Sequence, residues 1–267
     1  MKYYKRAIFA LLFSTTLVVG LASCQQSTSE TENEATTQTA RATDKAQLII
    51  DQAIKAHGGE RFDKMSLSFD FRDRHYTALR NNGSYVYTRE FTDSLGQVMD
   101  VLNNEGFYRE VNGNRVVLSD EKAKAYSNSV NSVIYFALLP FGLNDAVVNK
   151  KYMGVANIKG QSYHKIKVTF DQAGGGSDHE DEYLYWIHPD KYTVDYLAYS
   201  FSVNEGGMRF REAHNVRNVK GILFADYVNY ETVSDTIALE HLVVAFENAG
   251  LKKLSDINLE NINVNVL

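Results

Sequence analysis

The 267-residue chain has little of three residue types: one cysteine, two prolines and one tryptophan. Because Cys24 has no second cysteine to pair with, a disulfide within the chain is excluded, as is a metal site built from several cysteines. The scarcity of proline leaves long stretches that can pair as strands, and the 17 tyrosines and 14 phenylalanines suit half-buried strands. The fold therefore depends on its apolar core.

Positive charge is also scarce, with 28 basic against 33 acidic residues and a formal net charge of −5. Removal of residues 1–23, which carry three basic and no acidic side chains, would change this charge to −8. Nucleic-acid binding needs clustered Lys and Arg, so we expect no nucleic-acid partner. Broad electrostatic attachment to anionic lipid is disfavoured for the same reason.

Only residues 7–22 form a long uncharged apolar run, and this run is shorter than the roughly 20 residues of a membrane span. A basic segment precedes it, and Leu-Ala-Ser-Cys follows at residues 21–24. This ending resembles a bacterial lipoprotein lipobox. The resemblance implies a signal peptide at 1–23, cleavage before Cys24 and acylation of that cysteine. We therefore expect an exported protein that is lipid-anchored in the cell envelope through Cys24, in the outer membrane in particular.

Residues 24–43 are rich in Ser, Thr, Glu and Gln, which is typical of a disordered tether. From 44 to 267 the pattern predicts a single folded domain. It begins with a helix near 45–57 and contains a second helix that starts at Ser119 or Asp120 and ends at Pro140. Alternating residues predict strands elsewhere, including runs near 97–102, 105–111, 114–118, 163–170, 181–188, 193–204, 207–219, 222–233 and 236–247.

Strands at this spacing favour an antiparallel meander, and a helix between hairpins must cover one face of the sheet. The predicted fold class is α+β. It is a strongly curved, half-open antiparallel sheet of about 10–12 strands, an unclosed barrel, with the N-terminal and mid-chain helices on its concave face. The tail from Gly250 to Leu267 alternates and is predicted as one more edge strand or a lid.

The order of a first helix ending in Ala56-His57-Gly58-Gly59, a long meander and a mid-chain helix resembles the LolA/LolB-like lipoprotein-carrier fold. That resemblance implies an unclosed barrel that holds acyl chains or other hydrophobic ligands. A closer resemblance is to an uncharacterised lipoprotein family of Bacteroidetes-type bacteria. It is carried by the segments at 69–73, 174–179, 185–187, 195–200 and 209–212.

Residues 183–187 are apolar on both faces of their strand. A strand in a sheet with one solvent-exposed face should instead alternate between apolar and polar residues. Either helices cover both faces, or one face lines a ligand cavity. The predicted helices are too few to cover two faces, so we expect a cavity of several hundred Å³ under the mid-chain helix. The lining candidates are Tyr126, Ile134, Phe136, Leu139, Phe141, Trp186 and Tyr199.

Three arginines are candidates for binding the carboxylate or phosphate head group of a ligand: Arg72, Arg209 and Arg211. Within each predicted strand the arginines alternate with other residues and so project from one face, where they could form a basic patch. Surface ion pairs with nearby Asp and Glu residues explain the same pattern and contribute little to stability.

The acidic segment 178–182 contains weak candidate metal ligands, Asp178, His179 and Asp181, but a solvated acidic turn explains it better. No Gly-x-Ser-x-Gly motif is present, and no other catalytic motif is recognisable. We expect no cofactor and no enzymatic activity.

The favoured function is binding of a hydrophobic or amphipathic ligand, a lipid or acyl chain, in the concave face. The alternative is a non-catalytic scaffold with a solid core. A metal-assisted hydrolase that uses the His179 region is the third hypothesis.

Overall fold

The computed structural model describes residues 44–173, 180–202, 206–233 and 237–267. The predicted signal peptide and the whole predicted tether, including Cys24, lie outside these ranges, as do Asp178 and His179. Helix α1 covers residues 44–57, close to the predicted helix, and a short 3-10 turn follows at Gly59–Phe62. None of the helices in the described ranges has both the length and the apolar character needed to cross a membrane.

The first sheet has seven antiparallel strands in the order β14-β1-β2-β3-β4-β5-β6. Tight turns with left-handed residues connect its hairpins, such as Asn82-Gly83 and Asn112-Gly113. The strands are β1 (Lys64–Phe71), β2 (Arg74–Asn81), β3 (Ser84–Asp93), β4 (Gly96–Asn103), β5 (Gly106–Val111), β6 (Asn114–Arg115) and β14 (Glu260–Val266).

The second sheet also has seven antiparallel strands, in the order β13-β12-β11-β10-β9-β8-β7. Most of its strands match the predicted runs, whereas β7 was not predicted. The strands are β7 (Val148–Ile158), β8 (Gln161–Phe170), β9 (Glu182–Ile187), β10 (Val194–Phe201), β11 (Gly207–Val219), β12 (Ile222–Thr232) and β13 (Leu251–Ile257).

The two sheets meet at a corner formed by the predicted tail. β13 is an edge strand of the second sheet, and the next strand, β14, is an edge strand of the first. Leu259 between them is buried, and its backbone N–H donates to Oδ1 of Asp226 on β12 at 2.9 Å. The opposite edges, β6 and β7, do not pair, so the sheets do not close into a barrel. The predicted half-open antiparallel architecture is confirmed, with 14 strands in the described ranges.

Helix α2 (Asp120–Ala137) packs over β3, β4 and β5 and across the space between the sheets. Ser119 is its N-cap, and Ser119 Oγ accepts the Lys122 N–H at 3.4 Å. Only Val130, Ile134 and Ala137 of its 18 residues are fully buried. Pro140 lies three residues beyond the end of the helix and precedes a 3-10 turn at Phe141–Asn144, so the helix ends close to the predicted position.

The strand predicted at 236–247 is wrong. A 3-10 turn at Leu239–His241 leads there into helix α3 (Leu242–Glu247). Leu239, Leu242, Val243 and Phe246 recur at helical spacing and pack on the outer face of the second sheet. This unpredicted helix covers Leu184 and Trp186 of β9, while Tyr183, Tyr185 and Ile187 face inward. The inference that too few helices exist to cover both faces is therefore also wrong.

Candidate functional site

A partly open apolar cavity lies beneath the second half of α2, at the junction of the two sheets. Its volume is about 80 Å³, and Phe71 of β1 lines it together with Val133 and Phe136 of α2. The second sheet contributes Arg211 and Tyr227. A void of about 10 Å³ lies beside it and reaches His57 of α1. Both spaces are lined by Phe136, Ala137, Ala225 and Tyr227.

Arg211 is the one charged residue that lines this cavity. It is only 8% exposed, and its register on β11 places it opposite Leu197 of β10 and Asn229 of β12. Its Nη2 donates to Tyr199 Oη at 2.8 Å, and its guanidinium carbon lies 3.9 Å from the centroid of the Phe136 ring. Among the described residues no carboxylate forms an ion pair with Arg211, and its Nε–H has no acceptor. A buried cation without an ion-pair partner favours the binding of an anion.

Aromatic rings form the wall next to Arg211. The Phe136 and Tyr199 centroids are 5.4 Å apart, and Tyr199 stacks on Tyr183 at 5.3 Å. The guanidinium carbon of Arg211 lies 5.1 Å from the Tyr199 centroid, so two ring faces contribute cation–π attraction. These rings keep the guanidinium in an apolar setting, where a hydrogen bond from it to an anion is strong.

Two tyrosines beneath or on α2, Tyr227 and Tyr135, stay neutral at ordinary pH. Burial raises the pKa of Tyr227 to about 12, against a smaller lowering by Arg211. Burial also raises the pKa of Tyr135 on α2, whose hydroxyl lies 3.1 Å from that of Tyr185 on β9. Neither phenol supplies the anion that Arg211 lacks.

A second buried polar cluster lies under the first half of α2, and it differs from Arg211 in being fully paired. Asp100 of β4 accepts hydrogen bonds from Arg89 of β3 and Arg109 of β5, at distances from 2.6 to 2.9 Å. Arg89 Nη1 also donates to Ser129 Oγ on α2 at 2.6 Å, and Arg109 packs on the Tyr126 ring at 3.7 Å. This cluster attaches α2 to the first sheet.

Residues 37–260 match a family of unknown function, DUF6503. The chain belongs to this family. The predicted membership of an uncharacterised family is thereby confirmed. A comparison with curated proteins found no match.

Solved structures similar to this DUF6503 protein include a LolA superfamily protein from Nitrosomonas europaea, with 11% identity and a TM-score of 0.46 over 83% of this chain and 94% of the other. A DUF1329 family protein from Desulfovibrio piger has 11% identity and a TM-score of 0.49 over 83% and 93%. A putative outer membrane lipoprotein-sorting protein domain from Vibrio parahaemolyticus has 9% identity and a TM-score of 0.44 over 81% and 91%.

Four of the predicted site residues of this DUF6503 protein come together. Phe136 lines both spaces beneath α2, and Leu139 lines the smaller one. Tyr199 contacts Phe136 and accepts the hydrogen bond from Arg211. The cavity that they surround is smaller than the several hundred Å³ that the sequence predicts.

The other predicted residues lie elsewhere. Ile134 is buried in the core shared with the first sheet, and Tyr126 covers Arg109. Trp186 is 0% exposed on the opposite face of β9, under α3. The remaining three are peripheral: Phe141 lines an open cleft of about 1200 Å³ near α1, Arg72 is exposed in the β1–β2 turn, and half-buried Arg209 packs on Phe201.

Four residues at or near the cavity are not predicted as site residues by the sequence. Phe71 and Tyr227 line the cavity, Tyr183 belongs to the aromatic wall, and Asn229 lies opposite Arg211. Tyr183 lies in the doubly apolar run 183–187, where alternation does not say which phase faces inward. Asn229 lies opposite Arg211 in the strand register. This position can be predicted only if the pairing of β11 with β12 is known. These residues depend on long-range strand pairing.

No group of three His, Cys, Asp or Glu side chains within the described ranges could hold a metal ion. Of the weak metal candidates, Asp178 and His179 lie outside those ranges, and Asp181 is buried immediately before β9.

Proposed function

We propose that this protein binds a single-chain amphiphile with an anionic head group beneath α2. Arg211 binds the head group, and the acyl chain follows Phe136 and Leu139 towards His57. The observation that carries the proposal is a buried arginine, without a carboxylate partner in the described ranges, on the wall of an apolar cavity. The acylated Cys24 would hold this binding domain at the bacterial envelope, facing a supply of lipid.

Two favourable terms support such a ligand. A hydrogen bond between Arg211 and a carboxylate is charge-assisted, and such bonds contribute about 1.5–3 kcal/mol. Each methylene that leaves water for the apolar interior adds about 0.8 kcal/mol. Because the aromatic wall already excludes water from Arg211, the guanidinium has lost its hydration before the ligand arrives.

A cavity of about 80 Å³ is too small for a long acyl chain, so binding requires α2 to move or Phe136 to rotate. Helix α2 suits such a motion because only three of its side chains are fully buried. Phe136 lines both the larger cavity and the void at His57, and its rotation would join the two spaces. The ligand therefore selects an opened form of the interior.

The second candidate function is a non-catalytic scaffold. The observation in its favour is the nearly filled interior, where the two spaces beneath α2 have volumes of only about 80 and 10 Å³. A scaffold would retain this closed interior and would bind no amphiphile.

Decanoate titration of the purified full chain separates the two functions. We expect saturable binding that Arg211→Met weakens about 10- to 100-fold, the loss of one charge-assisted hydrogen bond. Arg209→Met is the matched control, since Arg209 is on the same strand and face but is half-buried against Phe201, and we expect less than a twofold change. Absence of decanoate binding, or equal weakening in both variants, would favour the scaffold. Mass spectrometry of an organic extract of the purified protein tests independently for a bound amphiphile.

A further inference from the structure

Three buried side-chain polar atoms in the described ranges have no hydrogen-bond partner: Trp186 Nε1, Arg211 Nε and Asn229 Oδ1. Buried polar groups are almost always satisfied, and each exception needs an explanation. Trp186 Nε1 lies under α3, away from the cavity. The other two atoms belong to residues that face each other across β11 and β12.

The register of β11 and β12 brings these two side chains together. Directly opposed antiparallel residues project from the same face of the sheet, with Cβ atoms about 4.5–5.5 Å apart. Arg211 uses Nη2 for Tyr199, and Asn229 uses Nδ2 for Ser255 Oγ at 3.3 Å. Two groups therefore stay unpaired on these opposed residues: the Nε–H donor of Arg211 and the Oδ1 acceptor of Asn229. Both residues are buried, with exposed fractions of 8% for Arg211 and 7% for Asn229.

We infer that the head group of the ligand is a hydroxy acid, in which a hydroxyl stands close to the carboxylate. This inference rests on the proposed function. An ionised carboxylate offers only acceptors, so it satisfies Arg211 Nε and leaves Asn229 Oδ1 unpaired. A neighbouring hydroxyl donates to Asn229 Oδ1 while the carboxylate accepts from Arg211. Sites with a buried hydrogen-bonding group discriminate against analogues that leave the group unpaired.

The competing explanation is a water molecule that accepts from Arg211 and donates to Asn229. A retained water would make the site indifferent to a hydroxyl on the ligand. The two explanations therefore predict different relative affinities for a fatty acid and a hydroxy acid of equal chain length.

The test compares decanoate with 2-hydroxydecanoate and 3-hydroxydecanoate on the purified full chain. We expect at least one hydroxy acid to bind about tenfold more tightly than decanoate, the effect of one buried hydrogen bond. Asn229→Leu should reduce this preference to less than twofold. Ser255→Ala is the matched control, since it removes a neighbour of Asn229 but leaves Oδ1 in place, and it should retain the preference.

Equal binding of all three acids by the wild-type chain would overturn the hydroxy-acid inference and leave the proposed function intact. Absence of binding by all three would overturn both. A preference that survives in Asn229→Leu would also overturn the inference, because the hydroxyl would then have another acceptor. The wild-type comparison needs no variant, so it decides the inference even if Asn229→Leu unfolds.

Discussion

At the scale of single residues, the interior beneath α2 has a buried cation at one end and a buried imidazole at the other. His57 is 7% exposed, and its Nδ1–H donates to the Ala53 carbonyl oxygen at 2.8 Å. Burial lowers the pKa of His57, and the hydrogen bond to Ala53 and the charge of Asp195 oppose this only in part. The imidazole is therefore neutral near pH 7. A neutral side chain is compatible with the apolar end of the acyl chain that the proposed function places beside it.

The lowered pKa of His57 predicts that the protein becomes less stable as the pH falls below neutral. The unfolded chain binds a proton at this histidine below about pH 6.5, whereas the folded chain binds it only at lower pH. The free energy of unfolding should therefore fall as the pH falls from 6.5 towards the lowered pKa. Urea unfolding between pH 7 and pH 5 measures this slope. His57→Gln, which keeps a side-chain N–H donor without a titration, should have a shallower slope, and an unchanged slope would contradict the assignment.

The raised pKa of Tyr227 predicts that the protein becomes less stable as the pH rises above about 10. Its folded pKa is raised to about 12 by burial, against about 10 in the unfolded chain. Between pH 10 and 12 the unfolded state loses this proton first, so the free energy of unfolding falls as the pH rises. Tyr227→Phe should lose less stability than wild type between pH 9.5 and 11 in denaturant titrations. An equal loss in both proteins would exclude Tyr227 as a source of the alkaline dependence.

Arg211 and Trp186 show what the sequence can and cannot predict about the site. Alternation within 207–219 places Arg209 and Arg211 on one face, and only the contacts of Phe136 and Tyr199 show which of the two is buried in the cavity. The run 183–187 is apolar at every position, so its alternation carries no information about which face is inner. Trp186 is a predicted lining residue from this run, but the inner face belongs to Tyr183 and Tyr185.

At the scale of elements, α2 is the helix whose movement would open the interior, and its attachment differs along its length. The first half is attached through Ser129 to the buried Arg89–Asp100–Arg109 cluster, and the second half covers the cavity with Val133 and Phe136. A polar contact with a buried arginine is costly to break when no other acceptor replaces it. We therefore expect the Ser129 contact to limit how readily the interior opens.

Ser129→Ala tests this role of α2. Removing the hydroxyl leaves Arg89 Nη1 without that acceptor, so α2 should detach more readily from the first sheet. We expect faster amide hydrogen exchange confined to α2 and faster association of decanoate. Asn131→Ala, an exposed change on the same helix, is the control and should alter neither rate. Faster exchange spread over both sheets would instead indicate a general loss of stability.

The elements that the sequence missed have a common cause. In the segment that contains α3, apolar residues lie at both helical and alternating positions, so the pattern does not separate a short helix from a strand. Strand β7 has a bulge between Tyr152 and Val155, which interrupts its alternation. Helix α2 was predicted because a capping serine and a terminating proline bound a single clear stripe.

At the scale of the whole molecule, the corner between β13 and β14 joins the two sheets across the cavity. Asp226 is 4% exposed there, and besides the Leu259 N–H its carboxylate accepts from Arg217 at 3.0 Å and from Asn215 at 2.6 Å. Arg217 also donates to the Leu259 carbonyl oxygen, so one ion pair holds the backbone that crosses between sheets. Leu259 and Ile257 of this crossing line the cavity, so the corner also shapes the site.

Asp226→Asn should therefore destabilise the protein by about 1–3 kcal/mol, since it weakens charge-assisted hydrogen bonds to a buried group. The matched control is Asp256→Asn on β13, which removes an exposed ion pair with Lys253 of the same strand and should cost less than about 1 kcal/mol. Urea unfolding measures both changes. If the corner couples the sheets, Asp226→Asn should also weaken decanoate binding, whereas Asp256→Asn should not. Equal effects of the two variants would mean that the sheets are held together by the apolar core beneath α2 alone.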